Sequence, residues 1–371
     1  MALLLTTLLR LVMLRALRDL CSSMKLHLVT QSMNQTISPT QDFLARSRAW
    51  IALVLLAPVA LAAVLPARAT VNFSGLTGVE LEQAQALDAK YSQFAQSFSR
   101  YYGDAMAFSS HLSAPIARDN LGKFPSLYVG IGMGASFGKV NAMKSEVDSS
   151  IQSSVPSYLA APNISFNFGM GITRKWDLRF SFFPNVPIAL SSGAFGSNTS
   201  AEIKFGTYRA RMGYHLVEGG FLKPGVTIAG FASYTTGALS VTQTGQSVTS
   251  GSVSLTNVSS SIATNWQYLG VGPEARVWYD LMFFHPFIGY SLGLQVGQYT
   301  TGLNITGDMV VGGYSGNGSI VISERQAARL LSHRLMLGFE ISLFLVEIGV
   351  EAQVDMVNGL VGAAFGTAFR F

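Results

Sequence analysis

From Ser126 to the last residue the chain alternates. Leu127, Val129, Ile131, Met133, Ala135 and Phe137 interleave with Ser126, Tyr128, Gly130, Gly132, Gly134 and Ser136, the period-two pattern of a strand with one apolar and one small or polar face. The same pattern returns at Ile164–Ile172 and Ile288–Val296, and most clearly where Ile348, Val350, Ala352, Val354 and Met356 oppose Glu347, Gly349, Glu351, Gln353 and Asp355. It predicts strands near 126–138, 161–172, 176–186, 200–215, 224–239, 263–279, 285–299, 332–343, 347–357 and 360–371. Ten is the expected count, with eight or twelve as alternatives. The connections alternate between long and short, as in a closed up-and-down barrel with long loops on one side of a membrane and tight turns on the other. Asn358-Gly359 is short where a long loop is due, and its sequence suits a type I′ hairpin.

The segment 70–122 follows a different rule. Thr77 and Glu80 have capping-box spacing, and Leu87, Tyr91, Phe94, Phe98 and Tyr102 recur every three or four residues, which predicts an amphipathic helix from about Gly78 to about Phe108. Such a helix packs in the periplasm, plugs the barrel or meets a partner. Before it, Arg46 and Arg48, the apolar run Ala49–Leu65 and the Ala67-Arg68-Ala69 junction predict a signal peptide cleaved after Ala69, with an N-terminal membrane anchor as the alternative. Residues 1–69 are therefore expected to be leader, for which Met24 or Met33 gives a more ordinary start. The expected organisation is leader 1–69, helical segment 70–122 and barrel 123–371.

Two fold alternatives fail on the pattern. A secreted β-sandwich turns a polar, charged face outward, whereas here one face of nearly every strand is apolar and the other carries Gly, Ser and scattered charge. A helical membrane protein needs about 20 consecutive apolar residues, and none occur after Ala69. A closed barrel bonds every backbone group within lipid.

Composition sharpens this reading. The 371 residues are 49% hydrophobic and only 12% charged, with 37 Gly. Of the formal charge of +5, the leader holds seven of 25 Lys/Arg and two of 20 Asp/Glu, leaving eighteen of each in the mature chain, so no nucleic-acid partner is implied. Cys21 is the only cysteine and lies in the leader, which excludes disulfides and thiolate metal sites beyond it. No cofactor is expected. Aromatic residues form two apparent belts. Trp176, Trp278, Tyr279, Phe283, Phe284, Phe344 and Phe371 stand beside short turns, and Tyr158, Trp266 and Tyr299 stand near the long-loop ends.

The last strand carries Val361, Ala363, Phe365, Thr367, Phe369 and Phe371 on one parity. In this the chain resembles bacterial outer-membrane β-barrel proteins, over the leader's cleavage region and about 126–371. The resemblance implies an integral, porin-like protein of the outer membrane, embedded in its lipid, with Phe369 and Phe371 serving as the signal read by the barrel-assembly machinery.

If the apolar parity faces lipid, the lumen holds Asp177, Arg179, Glu202, Lys204, Arg209, Arg211, Glu274, Arg276, Arg334, Glu340, Glu347, Glu351 and Asp355. These charges either fill the interior as salt bridges or line a solute eyelet for which the lumen glycines leave room. Arg334, Arg209 and Arg211 are candidate partners for the acidic ladder Glu347, Glu351 and Asp355. Facing is irregular in 200–215, where Ile203, Phe205 and Thr207 share a parity with Arg209 and Arg211, and a β-bulge near Gly206 would restore it.

No enzymatic role is expected. The mature chain has His111, His215, His285 and His333, of which only His333, with Glu324 nearby in sequence, suits an extracellular hydrolytic rim, and no Ser has a nucleophile context. Ser240–Ala263, uncharged and rich in Ser and Thr, and Gly302–Leu331 read as external loops, as continuations of the wall, or as a surface for ligands. The sequence supports a narrow channel for small solutes or an occluded barrel, with a surface adhesin or ligand-binding barrel as the rival.

Overall fold

A computed structural model describes residues 69–73, 79–112, 121, 124–139, 158–190, 198–250, 253–311 and 314–371. A short strand β1 (Ala69–Phe73) and one helix, α1 (Val79–Ser109), precede β2 (Leu127–Lys139), β3 (Tyr158–Gly171), β4 (Trp176–Leu190), β5 (Thr199–Gly220), β6 (Lys223–Ser250) and β7 (Val253–Tyr279). The wall continues with β8 (Phe284–Val311), β9 (Tyr314–Ala327), β10 (Leu331–Leu343), β11 (Val346–Asp355) and β12 (Leu360–Arg370). The helix falls where the three-to-four spacing predicts it, while Thr77, its expected cap, lies outside the described residues. The expected leader, up to Arg68, lies outside them too.

Each strand of the wall pairs antiparallel with its neighbours, β2 through β8 in order, then β8 with β10, β10 with β11, β11 with β12 and β12 with β2. Ten strands thus close a ring. β9 is an eleventh strand of the wall, and it adds to only part of β8. Residues 284–294 of β8 pair with β10, whereas 298–311 pair with β9, and β1 in turn pairs with β9. At the seam the Leu127 and Phe371 backbones exchange hydrogen bonds of 3.0 and 2.9 Å, so the last residue closes the ring.

The alternation places apolar residues outward. Val129, Met133, Phe166, Phe180, Ile288, Leu337, Val350, Phe365 and Phe369 are exposed, while Glu347, Glu351, Gln353 and Asp355 on the intervening positions are buried. A soluble protein does the reverse; this is the surface of a barrel whose solvent is hydrocarbon. No described helix is long and apolar enough to cross a membrane. One end of the ring carries the connections after β3, β5, β7 and β10 together with the chain terminus, which makes it the periplasmic end.

Strand length selects continuation of the wall over free loops. β6, β7 and β8 contain 28, 27 and 28 residues, against about 9–11 needed to cross the bilayer. Residues 240–250 and 253–263 are paired strand, and so are 302–311 and 314–327. The Ser, Thr and Val of these segments favour extended backbone, and they raise the wall well above the membrane on its extracellular side.

The expected bulge at Gly206 is absent. β5 pairs with β6 without interruption from Thr199 to His215, and Ile203, Phe205, Thr207, Arg209 and Arg211 are all buried on one face. The irregularity lies in β4, between Phe183 and Val186, opposite Phe205 and Thr207. The Asn358-Gly359 turn also differs. Only Gly359 has a positive φ (64°), and the turn closes by Gly359 N–H donating to the Asp355 carbonyl at 2.8 Å, four residues back rather than across a two-residue hairpin.

Candidate functional site

α1 enters the ring from its extracellular extension. Tyr91, Ala95 and their neighbours pack on Val258, Leu303, Ile305, Met309, Ile320 and Ile322 of β7, β8 and β9, while Gln93, Gln96 and Arg100 on the opposite face are exposed. Deeper in, the amphipathic character ends. Every residue from Tyr102 to Leu112 is buried, because strands surround the helix on all sides. The sequence narrows the helix to fit, with Gly103, Ala105, Ala107, Ser109 and Ser110. A Cβ on Gly103 would stand 2.3 Å from the Tyr299 ring, so only glycine lets the helix pass. From the wall side, a Cβ on Gly362 would meet Leu112 at 2.6 Å and Phe108 at 2.8 Å. Gly362 is one of the wall glycines expected to leave open space, and the helix occupies it.

The wall adds donors to carbonyls of the last turns of α1 and of the two residues after Ser110. Ser136 of β2 donates to Ala105 O at 2.8 Å, and the Tyr268 hydroxyl of β7 meets Ala107 O at 2.9 Å, Met106 O at 3.2 Å and Ser110 Oγ. Arg209 of β5 and Gln353 of β11 donate to His111 O at 3.3 and 3.4 Å, and Asn163 of β3 donates to Leu112 O at 3.0 Å. Five strands therefore grip one helix terminus.

Beneath that terminus lies a network of buried charge. Glu274 is its hub: Arg209 Nη2 meets Oε2 at 2.8 Å, while Arg211 Nε and Arg276 Nε meet Oε1 at 3.0 and 2.9 Å. Arg276 continues to Glu351 at 3.4 Å, and Arg211 to Asp177 at 3.6 Å, where Arg179 and His215 also converge at 3.4 and 3.1 Å. Arg334 donates to Ser291 at 2.9 Å and, with Arg209, lies over the Phe231 ring at 5.1 and 5.3 Å. The guanidinium groups also face the negative end of the α1 dipole, which has no basic residue in its own last turn.

Of the sequence-predicted lumen residues, Arg179, Arg209, Arg211, Glu274, Arg276, Arg334, Glu340, Glu347, Glu351 and Asp355 are buried inside the ring, together with Asp177. Glu202 and Lys204 are not. Both are exposed on the outer face of β5, and Ile203 and Phe205 take the inward positions, because this part of β5 stands in the extension where the lumen is lined for an apolar helix. The acidic ladder also finds other partners than those expected. Glu347 pairs with Arg370 at 3.3 Å and Glu351 with Arg276, while Asp355 accepts from Ser332 at 2.9 Å and from the Val357 and Asn358 amides of its own turn. Phe369 and Phe371 are exposed on the outer wall.

The aromatic belts need a similar correction. Trp176, Tyr279, Phe283 and Phe344 are exposed, and Tyr158 is exposed at the other end, but Trp266, Tyr299 and Trp278 turn inward. Trp266 meets Tyr102 edge to face at 5.8 Å, and Trp278 packs with Phe287 and Met336. His333 and Glu324 do not form a common site. His333 takes the Tyr290 hydroxyl at 2.5 Å on the outer wall, and Glu324 accepts from Ser92 of α1 at 2.6 Å.

Sequence reasoning missed Gly103, His111, Trp266, Tyr268 and Tyr299 as lumen residues. A signal was present. On β5, β7 and β8 one unbroken parity changes from apolar to polar along the strand, as from Trp266 and Tyr268 to Glu274 and Arg276, and that change marks where the helix ends.

No family model matches the chain, and no curated protein matches its sequence. Solved structures do. The translocator domain of the autotransporter NalP from Neisseria meningitidis is 8% identical, covering 79% of this chain and 100% of that one, with a TM-score of 0.37. The outer membrane protease OmpT from Escherichia coli is 9% identical, covering 67% and 97%, with a TM-score of 0.32. Ail, the attachment invasion locus protein of Yersinia pestis, is 9% identical, covering 66% and 98%, with a TM-score of 0.26. The closed antiparallel ring with its apolar outer face is the architecture of an outer-membrane β-barrel.

Proposed function

We propose that this protein is an occluded outer-membrane barrel, sealed by its own helix, whose work is done by the wall raised above the membrane rather than by solute passage. The observation that carries this reading is the enclosure of Tyr102–Leu112, gripped by side chains of five strands above a lumen filled with ion pairs. A pore for polar solutes needs a continuous wetted path lined by hydrogen-bonding groups. Here the groups that would line it are spent on the helix and on one another. The outward faces of β6 to β9, uncharged over 240–263 and rich in Ser and Thr, supply a broad extracellular surface for a ligand or another cell component.

Planar-bilayer recording of the folded chain from Thr70 tests the seal. The intact barrel is expected to be silent, and a chain lacking residues 79–112 to show stable conductance steps. Reproducible steps from the intact barrel would overturn the reading and restore the narrow channel. Heat-modifiable migration confirms that each chain has folded.

A further inference from the structure

The path of α1 has a topological consequence. β2 starts at the periplasmic end of the ring, where Leu127 bonds to Phe371, and Leu121 packs there against Tyr128 and Ala368. The described residues before Leu121 are ordered toward the other end: Leu112 lies between Gly134 and Gly362, Tyr102 beside Trp266, and Tyr91 against Leu303 and Ile322. β1 lies in the extracellular extension, where it pairs with Gly318–Ile322 of β9, above the point at which β8 leaves β10. A 31-residue helix spans ~46 Å, enough to run from that extension deep into the barrel.

An exported chain reaches the outer membrane from the periplasm. The polar face of α1, with Gln93, Gln96 and Arg100, cannot cross the hydrocarbon outside the wall, where each uncompensated polar group costs several kcal/mol. The route left to it is the lumen. We propose that the barrel passes its own N-terminal segment outward through its interior and holds it on the cell surface, with β1 and the outer turns of α1 facing the medium and the inner turns acting as the seal. The proposal rests on the plug reading for the position of the inner turns, and adds a direction of passage and a surface-exposed N-terminal region. Any chain preceding α1 in the mature protein is then presented outside the cell.

The absence of cysteine after Cys21 makes the test direct. In a Cys21→Ser background, Gln93→Cys and Gln96→Cys place single thiols on the exposed face of α1, and Lys175→Cys places one in the turn between β3 and β4. Intact Gram-negative cells are treated with a membrane-impermeant maleimide-polyethylene glycol, and the mass shift of each folded barrel is read on a gel. The expected result is a full shift for the two α1 variants in intact cells, and a shift for Lys175→Cys only after the outer membrane is permeabilised. The reverse pattern, with the α1 thiols protected until permeabilisation, overturns the proposal. Conductance keeps the two readings apart: a silent barrel with protected α1 thiols retains the seal and loses the outward passage, whereas a conducting barrel with exposed thiols does the opposite.

Discussion

In the outer part of the barrel, α1 meets Val258, Leu303, Ile305, Met309, Ile320 and Ile322; at its inner end it meets Tyr268, Arg209, Gln353 and Asn163. Both environments are built on inward-facing positions of the wall, and β7 contributes to both through Val258 and Tyr268. The outer one is apolar because the wall there has water on its far side, so its inward face can serve as an ordinary hydrophobic core, stabilised by about 25 cal/mol for each Å² removed from water. At membrane level the outward face must be apolar for lipid, and the inward face holds arginines and carboxylates that pair among themselves and cap the helix end. The two regions therefore fail differently. The outer one depends on shape and area, whereas the inner one depends on every charge having its partner.

Glu274→Ala breaks that contrast most severely. It leaves Arg209, Arg211 and Arg276 without their shared carboxylate, and removing one member of a buried ion pair costs about 3–5 kcal/mol. Urea unfolding in lipid vesicles should show that loss for the whole barrel. A loss near zero would mean that the lower lumen is solvated and that the two regions do not differ in kind.

Phe98→Ala tests the outer region. Phe98 stacks on Tyr102 with ring centroids 5.7 Å apart and is buried in the apolar cluster around the helix, so truncation should cost about 3 kcal/mol. That cost should fall on helix docking alone. Hydrogen exchange of the Phe98–Ser109 amides should quicken while the barrel's unfolding midpoint stays in place, and a shared shift of both would show that helix and wall are one cooperative unit.

What could be read from the chain follows from the same contrast. The period-two alternation located the ring because lipid imposes one rule on every membrane-level strand, and residues such as Glu347 and Glu351 obey it. Above the membrane that rule lapses. Glu202 and Lys204 were placed inside by extending it into a part of β5 where water, not lipid, bathes the outer face. The helix was legible from Tyr91, Phe94, Phe98 and Tyr102, but its depth was not, since one sequence cannot say which side of a ring a helix enters. Nor could the pairing of Glu274 with Arg209 and Arg211 be foreseen, because it reaches past β6 from β5 to β7 and depends on the curvature of a closed wall.

The smallest expected effect lies where the two regions meet. Asp104 of α1 pairs with Arg329 at 2.9 Å, with Arg100 also nearby, yet burial outweighs both cations and lifts its carboxyl from 3.8 to about 6. A carboxyl with a raised value in the docked state binds more protons there than in the released helix, so docking is strongest below the ordinary carboxylate value and weakens as pH rises through the window from 3.8 to about 6. Above that window the dependence should flatten. Asp104→Asn should remove the slope altogether, and Arg329→Ala, which takes away a cation that lowers the value, should extend the slope to higher pH. Exchange protection of the Phe98–Ser109 amides, corrected for the intrinsic rate at each pH, reads all three chains. If protection instead increased with pH, the Arg329 ion pair rather than burial would govern Asp104, and the junction would belong with the charge-paired region below it.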